Sequence, residues 1–460
     1  MNLQEKRFKS NAEKVAFNRE HRDNINSNIN NYNKAVVIGK SQFEDLEMAK
    51  KKAANIRSKV INNLEKYLVT FESNFEKNGG KVVWAQDKKE AIDVILDIFE
   101  KNSVKKVVKT RSNISNEIDL VNSLVKKDIE CVKTDIGEFI VQTAEEKSYH
   151  NTSPAIHKSK DDIVALFHKK YNTDKDASAE DIVAFIRKRI RKEYHSADAG
   201  ISDANFLISD TGSVAISEDQ GNVMMSTAFS KVHIVLATIE NIIPNINDLH
   251  ILWPLLSTYT TGQKNNVYNS IINGPKKDFE VDGPEKMYVV IIDNKRSDIL
   301  INKDINKALT CIECGACSNV CPVYKNIGGH SYDVTYTGPI GAVKAPYLYG
   351  MEEYGHLSFA CTLCGKCNDV CPVKIPLTDL LLINRRDFVS NEYNSKKDNF
   401  LNKAMRTSML KVWPLDFLST KKKSIVLKLL FKKSWGKRRE LPVIKEKSFR
   451  TQWKEMNGLK

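Results

Sequence analysis

The sequence has no apolar run of membrane-spanning length. Its N-terminus, from Met1 to Glu20, is charged and lacks an apolar core, so no secretory signal is expected and a cytoplasmic location is. Proline is absent before Pro154, and cysteine before Cys131. The other eight cysteines crowd between Cys311 and Cys371. That distribution excludes the evenly dense framework of a small disulfide-bonded secreted protein and points to metal ligation. No Gly-x-Gly-x-x-Gly follows a predicted strand and no flavin motif is evident, so neither NAD nor flavin is an expected cofactor. Charge is unbalanced, at +14, but 19 Lys and Arg against 5 Asp and Glu between Lys396 and Lys460 account for all of it. The body is neutral and carries no recognition motif, which argues against nucleic acid as a partner.

What is present is periodic. Residues 1–78 read as a helical N-terminal region, with Leu46, Ala49, Ala53, Ile56 and Val60 at helical spacing until Gly79-Gly80 interrupts. Residues 79–297 alternate between two periods. Strands are expected at Lys81–Ala85, Val104–Lys109, Ile129–Thr134, Ala204–Ser209, Ser213–Ser217, Val232–Thr238 and Met287–Asp293. Helices are expected at Lys88–Lys101, Asn116–Lys127 and Ala179–Tyr194. The alternation predicts an α/β domain with a parallel sheet covered on both faces, and Cys131 is expected to face its core. A cysteine-rich domain over 298–390 and a basic tail over 391–460 complete the chain.

The cysteines form a duplicated motif. Cys311-Ile-Glu-Cys314-Gly-Ala-Cys317-Ser-Asn-Val-Cys321-Pro322 and Cys361-Thr-Leu-Cys364-Gly-Lys-Cys367-Asn-Asp-Val-Cys371-Pro372 both have the C-x2-C-x2-C-x3-C-P spacing of bacterial-type [4Fe–4S] ferredoxins. Three closely spaced thiolates can wrap three corners of a cubane, and the fourth cysteine, before proline, serves the other cluster. Crossed ligation assigns Cys311, Cys314, Cys317 and Cys371 to one cluster, and Cys361, Cys364, Cys367 and Cys321 to the second. Gly315 and Gly365 let the backbone approach the sulfurs. Zinc is the competing reading, but two Cys-x-x-Cys pairs would suffice for a zinc site and the third cysteine of each run would be superfluous. The long gap between motifs and the helical flanks, such as Leu377 to Phe388, favour an all-helical two-cluster ferredoxin domain suited to stepwise one-electron transfer.

Longer stretches carry a family resemblance. "CIECGACSNVCPVYKNIGGHSY" (Cys311 to Tyr332), "YTGPIGA" (Tyr336 to Ala342), "TDIGEFIVQ" (Thr134 to Gln142), "SPAIHK" (Ser153 to Lys158), "ADAGISDANFLISDTGSVAI" (Ala197 to Ile216), "EDQGNV" (Glu218 to Val223) and "GPEKMYVVIIDN" (Gly283 to Asn294) resemble the lactate utilization protein B family. The resemblance spans roughly residues 60 to 390. It implies that the α/β region is a lactate-utilization (LUD) domain, with a fold similar to sugar-phosphate isomerases and CoA transferases. It also implies an iron–sulfur electron-transfer subunit in the oxidation of L-lactate to pyruvate. The implied partners are a second LUD-domain protein and a cysteine-rich protein of the heterodisulfide-reductase type.

Oxidising a small 2-hydroxy acid needs a base for the hydroxyl and a cation for the carboxylate. Lys109 and Arg111 fall at and just after a strand end, where α/β sheets bind ligands; the alternative is a solvated basic loop. Glu138 is a candidate base, set against a helix start with Asp135 as cap and Glu138 in the first turn. His150 and His157 bracket a proline-containing loop and His233 begins an apolar strand, where a satisfied core histidine is the competing reading. Asn205, Thr211 and Asn222 flank two glycine turns, "SDTGS" and "EDQGN", whose glycines otherwise serve only the backbone. His330 follows the first motif and is a candidate for tuning the nearby cluster.

In the tail, Ile425, Val426, Leu429 and Leu430 stand between lysines over 421–439, a pattern that suits contact with an anionic membrane surface, at its inner face, or packing on the body. Two other functions stay open from sequence. One is a self-sufficient 2-hydroxy-acid dehydrogenase with its site in the α/β domain. The other is a regulatory or assembly scaffold whose clusters are structural.

Overall fold

In the computed structural model, residues 2–393, 396–410, 420–435 and 440–458 are described. They fall into two units, Met1–Asn391 and Glu392–Lys460.

The N-terminal region forms four helices. Leu3–Ala16 is capped by Asn2, Arg19–Lys40 by Asn18 and Leu46–Asn62 by Asp45, each side chain accepting a backbone N–H of the first turn; Leu64–Lys77 follows directly. Ile25, Ile29, Ala53, Val60, Phe71 and Phe75 are fully buried in one core with residues of the α/β and cysteine-rich regions. The helices therefore stitch both halves together.

The main sheet has six parallel strands: β1 (Lys81–Ala85), β2 (Lys106–Lys109), β3 (Glu130–Lys133), β4 (Ala199–Asp203), β7 (Val232–Thr238) and β10 (Lys286–Ile292). Their order is β1-β10-β7-β4-β2-β3. All seven residues of β7 are buried, as a central strand covered on both faces requires. Val107, Ile201, Ile234 and Val290 pack on the helix Lys88–Lys101 through Ala91, Ile95 and Phe99. Val235, Ala237, Val289 and Ile291 face the opposite core. A smaller mixed sheet joins β8 (Ile242–Ile243), β5 (Phe206–Ile208), β6 (Ser213–Glu218) and β9 (Tyr268–Ile272), in that order.

Two local expectations change. The helix expected over Asn116–Lys127 is two short helices, Asn113–Glu117 and Leu120–Val125, separated where Asp119 takes φ 58°. The strand expected at Ala204–Ser209 is the short β5, and the central strand β4 lies just before it. β4 escapes the apolar pattern because it contains Gly200, whose missing side chain admits the helix Asn222–Phe229: a Cβ there would stand 2.4 Å from the Ser226 carbonyl oxygen. Cys131, on the edge strand β3, packs against the core of the main sheet as expected, partly buried.

The cysteine-rich region is helical throughout, its two short helices Ala316–Val320 and Lys366–Val370 packed together. The second unit contains Lys396–Leu410, Thr420–Trp435 and Phe449–Met456. Ile425, Val426 and Leu429 are exposed on the second of these. Trp413 and residues 436–439 lie outside the described residues, as do the side chains of Leu430 and Trp435. No helix among the described residues is long and apolar enough to cross a membrane.

Candidate functional site

The duplicated motifs fold alike. Glu313 and Leu363 both take φ 56°, and Gly315 and Gly365 take φ 74° and 80°, so each run of three cysteines curls into a tight loop that ends on a short helix. Backbone N–H groups of Glu313, Leu363 and Ile375 point at the sulfurs of Cys311, Cys361 and Cys371, each at 3.3 Å. The fourth cysteine of each motif meets the other motif. Cys371 lines one cavity with Cys311, Cys314 and Cys317. Cys321 lies within electrostatic reach of Cys361 and Cys364, as does Cys367.

Burial pushes the Cys311 thiol up to about 11 and the Cys367 thiol to about 12, and raises Cys314 and Cys317 as well. Eight cysteines converging in two sets, with backbone donors aimed at sulfur, is the donor chemistry of an iron–sulfur protein. Each set of four can hold a cluster.

The two loops differ in their surroundings. The first is roofed by the α/β domain: a Cβ on Gly315 would stand 2.7 Å from His150 Cε1 and 3.0 Å from Thr152 Oγ1. A Cβ on Gly365 would meet nothing within 4 Å. Cys314 is buried and Cys364 is exposed.

Buried charge surrounds the first set. Lys344 lines its cavity and donates to Glu240 Oε1 at 3.2 Å. Arg296 donates to Glu240 Oε1 at 2.9 Å and grips both oxygens of Glu117 at 2.8 and 2.7 Å. Arg57, on the helix Leu46–Asn62, donates to the carbonyls of Ile242 at 2.8 Å and of Leu309 and Thr310 at 3.2 Å, immediately before Cys311. Burial alone would raise the Glu240 carboxyl, but Arg296 and Lys344 hold it at about 2. Sequence reading missed this network, since its members are far apart along the chain. Lys344, a lone charge in an apolar stretch, was the available signal.

A cleft of about 130 Å³ opens at the carboxyl ends of β2, β3 and β4, where a parallel sheet binds ligands. Arg111, Asn205 and Asn222 line it, with Asp135, Asp203 and Glu218. Its wall includes Ile312 and Glu313, which also line the cavity of the first cysteine set. Burial lifts the Asp203 carboxyl to about 7, with Ser112 donating to it. Arg111 donates to the Thr152 carbonyl at 2.6 Å. Asn205 accepts from the Ser217 N–H at 2.7 Å, and Asn222 donates to Thr134 Oγ1 at 3.3 Å. A larger hollow of about 770 Å³ opens beside it, lined by His150, Asn151, Lys133 and His330 among others.

Other candidates are placed elsewhere. Lys109 is neither solvated nor in the cleft. It is fully buried and paired with Glu138 at 3.0 Å, so the proposed base and the proposed carboxylate anchor neutralise each other. Asp135 does cap the helix Ile136–Thr143, with Glu138 in its first turn. Thr211 sits in the β5–β6 turn, its carbonyl accepting from Asn78, away from the cleft. His233 is fully buried near the amino end of β7, on Ser202 Oγ at 2.8 Å, at the opposite end of the sheet. His157 holds Glu146 at 2.7 Å and stacks on Tyr149, with His330 beside it. Glu146, His157 and His330 bring ligand-type atoms within 4.8 Å of one another, but Lys158 already occupies Glu146 at 2.8 Å. His330 stands edge-on to Tyr149 and His157, and its Nε2 donates to the Lys147 carbonyl at 2.7 Å. Burial lowers His150, His157 and His233 to about 4, leaving each neutral near pH 7.

Comparison with known proteins agrees with this architecture. A LUD domain matches residues 68–292 and a 4Fe-4S dicluster domain matches residues 307–375. Lactate utilization protein B of Anoxybacillus flavithermus is 40% identical over 338 residues, 73% of this chain and 71% of that protein. That of Oceanobacillus iheyensis is 35% identical over 433 residues, 90% of each chain. An uncharacterized electron transport protein of Escherichia coli is 35% identical, covering 75% of this chain and 73% of its own. A crystal structure of a DUF162 family protein from Deinococcus radiodurans aligns with 50% of this chain and 98% of that one, at 11% identity and a TM-score of 0.29. With both domains matched and the relatives covered over most of their length, the chain belongs to the lactate utilization protein B family.

Proposed function

We propose that this chain is an iron–sulfur electron-transfer subunit of a complex that oxidises L-lactate to pyruvate. The observation that carries the reading is the convergence of eight cysteines into two sets of four within a 4Fe-4S dicluster domain. The names of the relatives, lactate utilization and electron transport, support the process and the role. In this reading Cys311, Cys314, Cys317 and Cys371 hold one [4Fe–4S] cluster, and Cys361, Cys364, Cys367 and Cys321 hold the second. Bound clusters supply one-electron transfer. The chain's own residues bury the thiols, aim N–H groups at sulfur, and place Lys344 and Arg57 beside the inner set.

The partners in this reading are a second LUD-domain protein and a cysteine-rich protein of the heterodisulfide-reductase type, with a small 2-hydroxy acid as the substrate of the assembly. The basic tail touches the inner face of the membrane. The α/β domain's kinship to sugar-phosphate isomerases and CoA transferases belongs to the same proposal.

A second reading has its own observation. The polar cleft with Arg111 and Asp203 shares Ile312 and Glu313 with the inner cysteine cavity, which favours a ligand site close to it in this chain. Anaerobic electron paramagnetic resonance separates the two. A reduced-cluster signal that needs both L-lactate and the partners supports the subunit reading. The same signal from this chain and lactate alone supports a self-sufficient dehydrogenase. Clusters that dithionite reduces, but lactate never does in any mixture, contradict both.

A further inference from the structure

One motif in two copies should bury its loop equally if both served the same purpose, and here it does not. In the first copy Ile312, Cys314 and Ala316 are buried beneath His150 and Thr152. In the second copy Thr362, Leu363, Cys364 and Lys366 are all exposed, and the position of buried Ala316 is taken by exposed Lys366. Phe359, just ahead of Cys361, is also exposed, at 46%, beside Leu363 at 37%. The loop is nonetheless rigidly held. Arg385 donates to the carbonyls of Ser358 at 2.8 Å and Cys361 at 2.6 Å, and its guanidinium lies 5.6 Å from the Phe359 ring centroid.

Phe359 packs on Phe388 and Arg385 on one side only, and leaving it and Leu363 partly exposed around a cysteine that ligates a redox centre costs solubility and invites oxidation, so a stable monomer gains nothing by it. A surface that another protein covers transiently does gain. Two cations flank the loop, with Lys366 exposed on it and Lys325 within its electrostatic reach, and Asp369 is exposed on the same short helix as Lys366. A small apolar centre with a charged rim suits the weak, small-area encounters of electron-transfer proteins, where complementary charge sets the rate of association.

We infer that the loop Cys361–Cys367, with Phe359 and Leu363 at its centre and Lys325 and Lys366 at its rim, is the docking surface for a small acidic one-electron redox protein. This rests on the two-cluster reading above and adds a direction to it. The second cysteine set is the outer terminal facing the protein partner, and the first is the inner terminal facing the cleft. Each encounter moves one electron and no proton. The second cluster is oxidised by one electron, the partner's carrier is reduced by one, and no bond forms or breaks.

The test uses the full chain, purified with its clusters under anaerobic conditions, and a flavodoxin as the acidic redox probe. Binding is measured by calorimetry at low and at high ionic strength, and carbodiimide cross-links are mapped by mass spectrometry. The inference expects salt-sensitive binding, cross-links from Lys325 or Lys366 to probe carboxylates, and a roughly tenfold weaker complex for the Lys325→Glu, Lys366→Glu double variant. A Lys160→Glu, Lys169→Glu variant, on the exposed helix Lys160–Tyr171, should bind as the parent does. No binding by the parent, binding unmoved by the rim variant, or equal loss in both variants overturns the docking surface. A chain whose iron shows no reduced signal with dithionite overturns the underlying reading instead, so the two failures are distinct.

Discussion

Lys344 Nζ lies 3.2 Å from Glu240 Oε1, each residue 2% exposed, so one ion pair joins the α/β domain to the cysteine-rich domain beside Cys311. Glu240 is shared with Arg296, which also holds Glu117. Taking such charges out of water is costly, and removing one partner leaves the others buried and uncompensated. Glu240→Gln is expected to cost about 3–5 kcal/mol in denaturant unfolding, whereas an exposed exchange such as Lys169→Gln should cost well under 1 kcal/mol. A loss below about 1 kcal/mol for Glu240→Gln contradicts the network's role.

The same group gives a pH dependence. The Glu240 carboxyl is held at about 2 in the folded chain, below its ordinary 4.5. Its contribution is therefore complete above pH 4.5 and is lost as pH falls toward 2. Asp203 works the other way. Its carboxyl rises from 3.8 to about 7, so its contribution is complete below pH 3.8 and disappears as pH climbs through 7. Asp203→Asn should remove that decline. Unfolding free energies at pH 5 and pH 8 should differ by less in the variant than in the parent, by on the order of a few kcal/mol. Equal pH profiles would show that the cleft carboxyl is not shifted.

Gly315 and Gly365 allow a matched comparison. Alanine at either position meets φ 74° or 80°, a shared cost of about 1–2 kcal/mol. Only at Gly315 would the new methyl group also stand 2.7 Å from His150. Gly315→Ala is expected to lower the thermal midpoint and the iron content more than Gly365→Ala does. Equal effects would mean that the α/β domain does not clamp the first loop.

Exposure predicts the order of iron loss. With an oxidant and a chelator, iron should leave first from the set containing exposed Cys364 and later from the set containing buried Cys314. Alkylation and peptide mapping of the half-depleted protein should label Cys361, Cys364, Cys367 and Cys321 ahead of the other four. Labelling Cys371 together with Cys361 would contradict the crossed assignment.

Much of this was legible in the sequence because it is locally encoded. The strand Val232–Thr238 and the helix Lys88–Lys101 follow from apolar period alone, and both have the expected bounds. The cysteine spacing states its chemistry directly. What escaped depends on distant residues meeting. Lys109 read as an anchor for substrate because its neighbour in space, Glu138, is 29 positions away in sequence. The strand β4 hid behind Gly200, which is small for the sake of Ser226. The covered and open fates of two loops with the same cysteine spacing depend on the distant His150–Thr152 segment, and within the motifs only exchanges such as Ile312 for Thr362 and Ala316 for Lys366 hint at them.

The most direct test of the account is the iron and acid-labile sulfide content of the anaerobically purified chain, with its paramagnetic resonance spectrum after dithionite. The account predicts about eight iron and eight sulfide per chain and the spectrum of two interacting reduced [4Fe–4S] clusters. Zinc in place of iron, or about four iron with a single isolated cluster, would contradict it.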